Sequence, residues 1–185
     1  MGRPIVILGW GSLIWNPQTL QLASDWQQAG PDLPIEFSRV SRDGRLTAVI
    51  DPVNGKNVKV LYAFSKKTMI EAAIEDLSTR EGTIRTHIGF VDAKCGQLSS
   101  ETHSCHERIK AWGKTAGIDI VIWTALASNF METVGVPFST EAAIEYLGRL
   151  SEHKRMNAIQ YISNAPEQIS TPLRQELTNH AKARI

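Results

Sequence analysis

The chain reads as an α+β protein: a mixed, mostly antiparallel sheet, bent or closed into a small barrel, with packed helices and a helical C-terminal third. Three observations predict this class. Short apolar or alternating runs gather before residue 65 and are separated by the tight-turn pairs Asp43-Gly44 and Asn54-Gly55. That is the pattern of a meander, not of alternating strand–helix units. One stretch, residues 68–82, carries helical spacing early, and beyond residue 139 the apolar residues recur at helical spacing. With 185 residues, one domain is expected, with residues 139–185 as a helical elaboration.

Taken in order, Ile5-Val6-Ile7-Leu8 is a short buried strand. Asn16-Pro17 reads as a cap and first residue of a short helix reaching about Leu22. Residues 23–34 are polar, rich in Pro and Gly, and read as surface. Residues 35–41 alternate as a strand, Asp43-Gly44 turns the chain, and residues 46–50 return beside it. Asn54-Gly55 predicts a second hairpin into a strand over 58–64. Thr68 with Glu71 forms a possible capping box, with Ser65 as a rival cap, and Ile70, Ala73, Ile74 and Leu77 define the buried face of the helix that follows. Gly82 is its expected stop. Residues 84–91 read as a strand, 104–112 as a short helix broken by Gly113 and Gly117, and 118–126 as a central strand. A loop over 128–137 is long enough to shape a pocket rim. Ser139 or Thr140 then caps a helix carrying Ile144, Leu147 and Leu150. A second helix spans about 152–162 with Met156, Ile159 and Ile162 inward, and Thr171-Pro172 opens the last one.

Composition narrows the function classes. A formal net charge of +1 argues against a dedicated nucleic-acid binder. No apolar run is long enough to span a bilayer and no charged-then-apolar leader is seen, so a cytoplasmic location is expected, with no membrane partner. Two cysteines, Cys95 and Cys105, are too few for a disulfide framework. Together with His103 and His106 they match no zinc spacing, and adjacent Cys105 and His106 do not easily address one ion, so no metal site is expected.

The stretch that organises the chain is Gly9-Trp10-Gly11-Ser12-Leu13-Ile14-Trp15, directly after the first strand. Two glycines around one aromatic permit a tight turn, with positive φ at little steric cost, and bring bare backbone N–H groups to its surface. A strand, a glycine turn and a helix start would suit an anionic group. A dinucleotide fingerprint fits poorly, because Ile14 stands where the third glycine belongs and Pro17 cuts in early. A purely structural turn is the plainest alternative.

Glu81 is the second feature. It lies four residues after Leu77 and so returns to the apolar face of its helix. Burial and the negative end of the helix dipole would both raise its pKa, which makes a glutamate a usable proton carrier near neutrality. Helical geometry points neighbouring Arg80 elsewhere. An ordinary solvated or arginine-bridged helix end is the alternative. Arg39, Arg42 and Arg45 on the first hairpin could receive a carboxylate bidentately, or could face water or pair with Glu36 and Asp43.

The leading stretch resembles the Tyr-Gly-Ser-Leu/Asn loop of the γ-glutamyl cyclotransferase-like superfamily, and is most similar to the glutathione-specific (ChaC-type) branch, where the loop also runs into Ile-Trp. Arg80-Glu81 is similar to that branch's Arg-Glu pair in type and order. Trp10 departs from the family's tyrosine, and Gly82-Thr83-Ile84-Arg85 lacks the tyrosine-containing segment that commonly follows. The resemblance implies a small bent sheet or barrel with helices, and an enzyme that releases 5-oxoproline from a γ-glutamyl amide, either glutathione or a γ-glutamyl amine. It implies Glu81 as the catalytic acid/base and no cofactor. Trp10, Gly11, Ser12 and Leu13 would bind the substrate, with Arg39 a further candidate. A binding domain that kept the loop and lost the chemistry remains the non-enzyme alternative. Neither the leaving amine nor the oligomeric state is written in these residues.

Overall fold

A computed structural model describes residues 3–99 and 105–182. In chain order the elements are β1 (Ile5–Gly9), β2 (Asp32–Val40), β3 (Leu46–Ile50), β4 (Lys56–Lys59), β5 (Leu61–Phe64), α1 (Ile70–Glu81), a 3-10 turn at Arg85–His87, β6 (Ile88–Asp92), β7 (Gln97–Leu98), α2 (His106–Ala116), β8 (Ile120–Thr124), α3 (Phe130–Val134), α4 (Thr140–Arg149), α5 (Glu152–Ser163) and α6 (Pro172–Lys182). They form two compact units. The first comprises Met1–Gly9, Asn16–Leu33 and Lys59–Leu126, the second Trp10–Trp15, Pro34–Val58 and Ala127–Ile185. The α+β class holds. Among the described residues there are two sheets, neither closed into a barrel, and the last third is helical.

The first unit is built on a five-stranded sheet in the order β5-β1-β8-β6-β7. β1 is buried along its whole length, which is why its sequence is an unbroken apolar run instead of an alternation. It pairs antiparallel with β5, Val6 opposite Phe64, and parallel with β8, Ile7 opposite Ile122. That parallel pair is the exception to the antiparallel expectation, and no local turn signal could announce a partner so distant in sequence. β8 is central as predicted, and antiparallel β6 flanks its other side. Gly89 of β6 lies opposite Trp123 of β8, and the indole fills the space above the glycine: a Cβ there would stand 2.3 Å from Cε2. Ala73, Ile74 and Leu77 bury one face of α1, which packs on β8.

Several local expectations in this unit are corrected. Residues 17–22 form no helix; a lone Leu20 N–H···O Pro17 bond closes one turn, Gln18 sits at φ 52°, and Leu22 bridges to Ser65 instead. Pairing with the edge at β5 wins over one turn of helix. The capping box does not form: Met69 is the N-cap of α1 without a side-chain bond, and Ser65 Oγ accepts from the Lys67 N–H. Gly82 does end α1, in the left-handed region at φ 61°. Residues 85–87 form a 3-10 turn before β6 begins, so the predicted strand is shorter. α2 runs through Gly113 and stops at Gly117.

The second unit holds the three-stranded sheet, ordered β3-β2-β4. The β2–β3 hairpin turns at Asp43-Gly44, with Gly44 at φ 87°. β4 lies on the far side of β2, so Asn54-Gly55 does not join neighbouring strands and the simple meander is not formed. The single strand expected over 58–64 is split at buried Val60 into β4 and β5, which belong to different sheets. Ser139 caps α4 by accepting from the Ala142 N–H, as expected. The expected loop over 128–137 contains the short helix α3. α5 packs on β3 and buries Ala158, Tyr161 and Ile162, whereas Met156, expected inside, is exposed. Among the described residues no helix is long and apolar enough to cross a membrane.

Candidate functional site

The loop Trp10–Trp15 belongs to the second unit and follows β1 directly. Trp10 is buried, and its indole Nε1–H donates to the Ala48 carbonyl at 3.1 Å. Leu13 is buried and Ser12 half-buried. The Ile14 N–H closes the turn on the Gly11 carbonyl at 3.1 Å. The amide N–H groups of Gly11 and Leu13 make no hydrogen bond among the described residues. The reason for Gly11 differs from the expected one. Neither Gly9 nor Gly11 takes a positive φ. A Cβ on Gly11 would instead stand 3.1 Å from Tyr161 Oη of α5. Tyr161 also meets Trp15 edge-to-face with ring centroids 5.3 Å apart.

The hairpin arginines, in the same unit, do different things. Arg39 donates through Nη1 to the Ala127 carbonyl at 2.7 Å, and partial burial holds its pKa below the usual guanidinium value. Arg42 is exposed. Arg45 pairs through Nε with Asp43 at 2.7 Å and lies over the Tyr161 ring, 5.0 Å from its centroid. Among the described residues Glu36 has no arginine partner, and it is fully buried. It accepts from the Phe37 N–H at 2.7 Å and from the Leu173 N–H at 3.4 Å, in the first turn of α6. Burial raises its pKa above the ordinary carboxylate value, and these donors, with the Thr171 hydroxyl, oppose that.

Glu81 belongs to the first unit. Its side chain is only 18% exposed, at the C-terminal end of α1. Burial pushes its pKa above the ordinary value, and the Arg80 guanidinium pulls in the opposite direction without cancelling the rise. Arg80 does not point away, as helical geometry led us to expect. It folds back so that Nη1 meets Glu81 Oε1 at 2.6 Å while Nη2 donates to the Asn16 carbonyl at 2.7 Å. An arginine as buried as this one, 6% exposed, must find acceptors, and those two lie within reach. Asn16 belongs to the same unit as Arg80 and Glu81.

Among the residues singled out for metal, His103 lies outside the described residues. Cys95 is exposed and Cys105 buried, and the His106 ring packs against Trp123. Among the described residues no group of three or more His, Cys, Asp or Glu side chains gathers as a metal site.

Sequence reasoning missed Tyr161. It lies at i+4 from Asn157 and i+1 from Gln160 on α5, and only the tertiary fold turns it toward Gly11. The available signal was a polar stripe, Asn157, Gln160 and Asn164, at helical spacing beside an aromatic residue. This stripe, Trp15 and the Asp43–Arg45 pair line a cleft of about 280 Å³ within the second unit. No protein-family model matches the chain, and neither the curated proteins nor the solved structures gave a match.

Proposed function

We propose that the protein is a cytoplasmic, cofactor-independent γ-glutamyl cyclotransferase acting on a small γ-glutamyl amide, glutathione or a γ-glutamyl amine, with Glu81 as the single acid/base. The observation that carries this is the state of Glu81: a mostly buried carboxyl, raised in pKa, held by one arginine. The unbonded amides of Gly11 and Leu13 supply donors suited to the carboxylate and carbonyl oxygens of a γ-glutamyl group.

In the proposed reaction Glu81 takes a proton from the substrate's α-ammonium, whose unperturbed pKa is about 8. The freed amine attacks its own γ-carbonyl carbon, forming the ring C–N bond. The γ-amide C–N bond then breaks, and Glu81 returns the proton to the departing amine. The ring nitrogen gives up its second proton to the departing amine, which leaves as an ammonium, so the products are 5-oxoproline and RNH3+ and atoms and charge balance without an added reactant. Ring closure within one molecule needs little beyond positioning once the substrate is folded back. The proposal requires Glu81 to reach the substrate held by residues 10–13.

Glu81→Gln keeps the shape of the side chain and removes its basicity. In glutathione and γ-glutamyl-amine assays for 5-oxoproline, kcat should fall by roughly 10²–10⁴ while ligand binding persists. Wild-type turnover in the variant would refute the mechanism. The second reading, a binding domain without chemistry, is favoured by Trp10. Its indole is buried and tied to Ala48, and it offers no hydroxyl where the family has one. That reading is supported if the wild-type protein binds γ-glutamyl compounds and releases no 5-oxoproline.

A further inference from the structure

The cleft on the second unit is a receptor built around one immobilised guanidinium. Arg45 is held from two sides: its Nε lies 2.7 Å from Asp43 in an ion pair, and its guanidinium carbon sits over the Tyr161 ring, 5.0 Å from the centroid. Asp43 is itself fixed by the Ser41 hydroxyl and the Arg45 N–H, and these bonds keep its pKa below the usual carboxylate value, so the pair stays ionised. What remains is the outer edge of the fork. Neither Nη nitrogen of Arg45 makes a hydrogen bond or ion pair among the described residues. Lining the same cleft are Asn157 and Gln160 of α5 and Asn164, the residue that caps its C-terminal end; they add carboxamide groups, that of Asn157 already meeting His153 Nε2 at 3.1 Å.

With Nε set against Asp43 in the ion pair, the two Nη nitrogens are left to receive a carboxylate bidentately. Because Asp43 neutralises one charge, the cleft suits a monoanion better than a doubly charged phosphate. Asn164 follows the C-terminal end of α5, where the helix dipole disfavours an anion, but that effect changes affinity only a few-fold and is smaller than a forked ionic hydrogen bond. At about 280 Å³ the cleft lies at the small end of ligand pockets, room for an amino-acid-sized group and not for a nucleotide. The loop that we assign to the γ-glutamyl group supplies one wall through Trp15, and its Gly11 faces Tyr161 Oη.

We infer that this cleft is the subsite for the amine half of the substrate, and that Arg45 selects leaving amines that carry a free carboxylate over neutral or cationic ones. This rests on the cyclotransferase proposal for its biological meaning, but the binding chemistry stands apart from turnover.

The test therefore has two arms on the full-length protein. In the binding arm, N-acetylglycine, its neutral N-methylamide and inorganic phosphate are titrated while the Trp15 indole and the α5 carboxamide resonances are followed by NMR. N-acetylglycine should bind saturably at these resonances, about 10–100-fold more tightly than the methylamide, and Arg45→Gln should remove that advantage. Arg45→Lys should restore little of it, because an ammonium lacks the fork. Gln160→Ala, an exposed position, should weaken the probe a few-fold and serves as a second variant if Arg45→Gln does not fold. Equal binding of acid and methylamide, tighter binding of phosphate, no saturable binding of any probe, or an unaffected Arg45→Gln overturns the inference. In the turnover arm, the ratio of kcat/KM for γ-glutamylglycine over γ-glutamylmethylamide should fall at least ten-fold in Arg45→Gln. Probe binding without any 5-oxoproline sinks the enzymatic proposal and leaves the subsite. 5-Oxoproline release with an unchanged ratio sinks the subsite and leaves the enzyme.

Discussion

Replacing Arg80 with Met removes the guanidinium that holds Glu81 and Asn16 while keeping most of the side-chain bulk. Two of the interactions lost differ in their pH behaviour. The bond from Nη2 to the Asn16 carbonyl, 2.7 Å, disappears at every pH and is worth about 1 kcal/mol. The ion pair at 2.6 Å disappears only where Glu81 is charged. Breaking a buried pair by deleting one partner costs about 3–5 kcal/mol. Glu81 is 18% exposed and can take up a proton instead, so a total nearer ~3 kcal/mol is expected at pH 7.5. The sign follows from linkage. Burial already raises the folded-state pKa of Glu81 above its unfolded value of 4.5, and losing Arg80 raises it further. Below the unfolded pKa the carboxyl is protonated in both states, and the variant loses the Asn16 bond but not the ion pair. As pH climbs through the raised folded pKa, the unfolded chain releases its proton more readily and the variant loses ground to the wild type. Urea melts of both proteins at pH 4 and pH 7.5 should show a stability gap that widens from ~1 to ~3 kcal/mol. A gap that is constant with pH, or that narrows, would refute the assignment of Glu81 as a buried group restrained by Arg80. If the enzymatic proposal also holds, the acidic limb of the pH–rate profile moves upward in Arg80→Met.

Three further substitutions probe other parts of the fold. Gly89→Ala drives a methyl to 2.3 Å from the buried Trp123 ring, and overpacking of about 1–3 kcal/mol should lower Tm by at least ~3 °C; an unchanged melt would mean that the indole does not lie over Gly89. Glu36, with a raised pKa, weighs against the folded state as pH rises above 4.5, where the unfolded chain ionises first. Glu36→Gln should therefore gain stability relative to wild type between pH 4 and neutrality in paired urea melts, whereas Glu36→Ala should cost about 1–3 kcal/mol by leaving the Phe37 and Leu173 N–H groups without their acceptor. Asp92, held at about 2 by the Arg3 guanidinium, contributes stability that is complete above its unfolded value of 3.8 and is lost as pH falls through about 2. Acid titrations of Asp92→Asn followed by circular dichroism should lack the wild-type loss in that window, and an identical acid transition would count against the pair.

The sequence alone determined what depends on near neighbours. The unbroken apolar run of β1, the Asp43-Gly44 hairpin, the Ser139 cap of α4 and the Gly82 stop of α1 are all set by a few adjacent residues, and each formed as read. Glu81 returning to the buried side of its helix is likewise a matter of 100° per residue, and its restricted exposure follows. The α+β class emerged from the same local signals taken in sum. Pairings between distant segments were decided only in three dimensions. The parallel match of β1 with β8, the placing of β4 beyond β2 and the break at Val60 all depend on which edge a strand meets, and no residue next to them records it. The same holds at the site. The inward fold of Arg80 depended on where the Asn16 carbonyl happened to lie, Gly11 is required by a tyrosine far along the chain, and Arg45 became a fixed fork only once Tyr161 came under it. Propensity acts through bonds and turns, within a few residues. A buried charge finds its partner by desolvation and distance, which the linear order of residues does not encode.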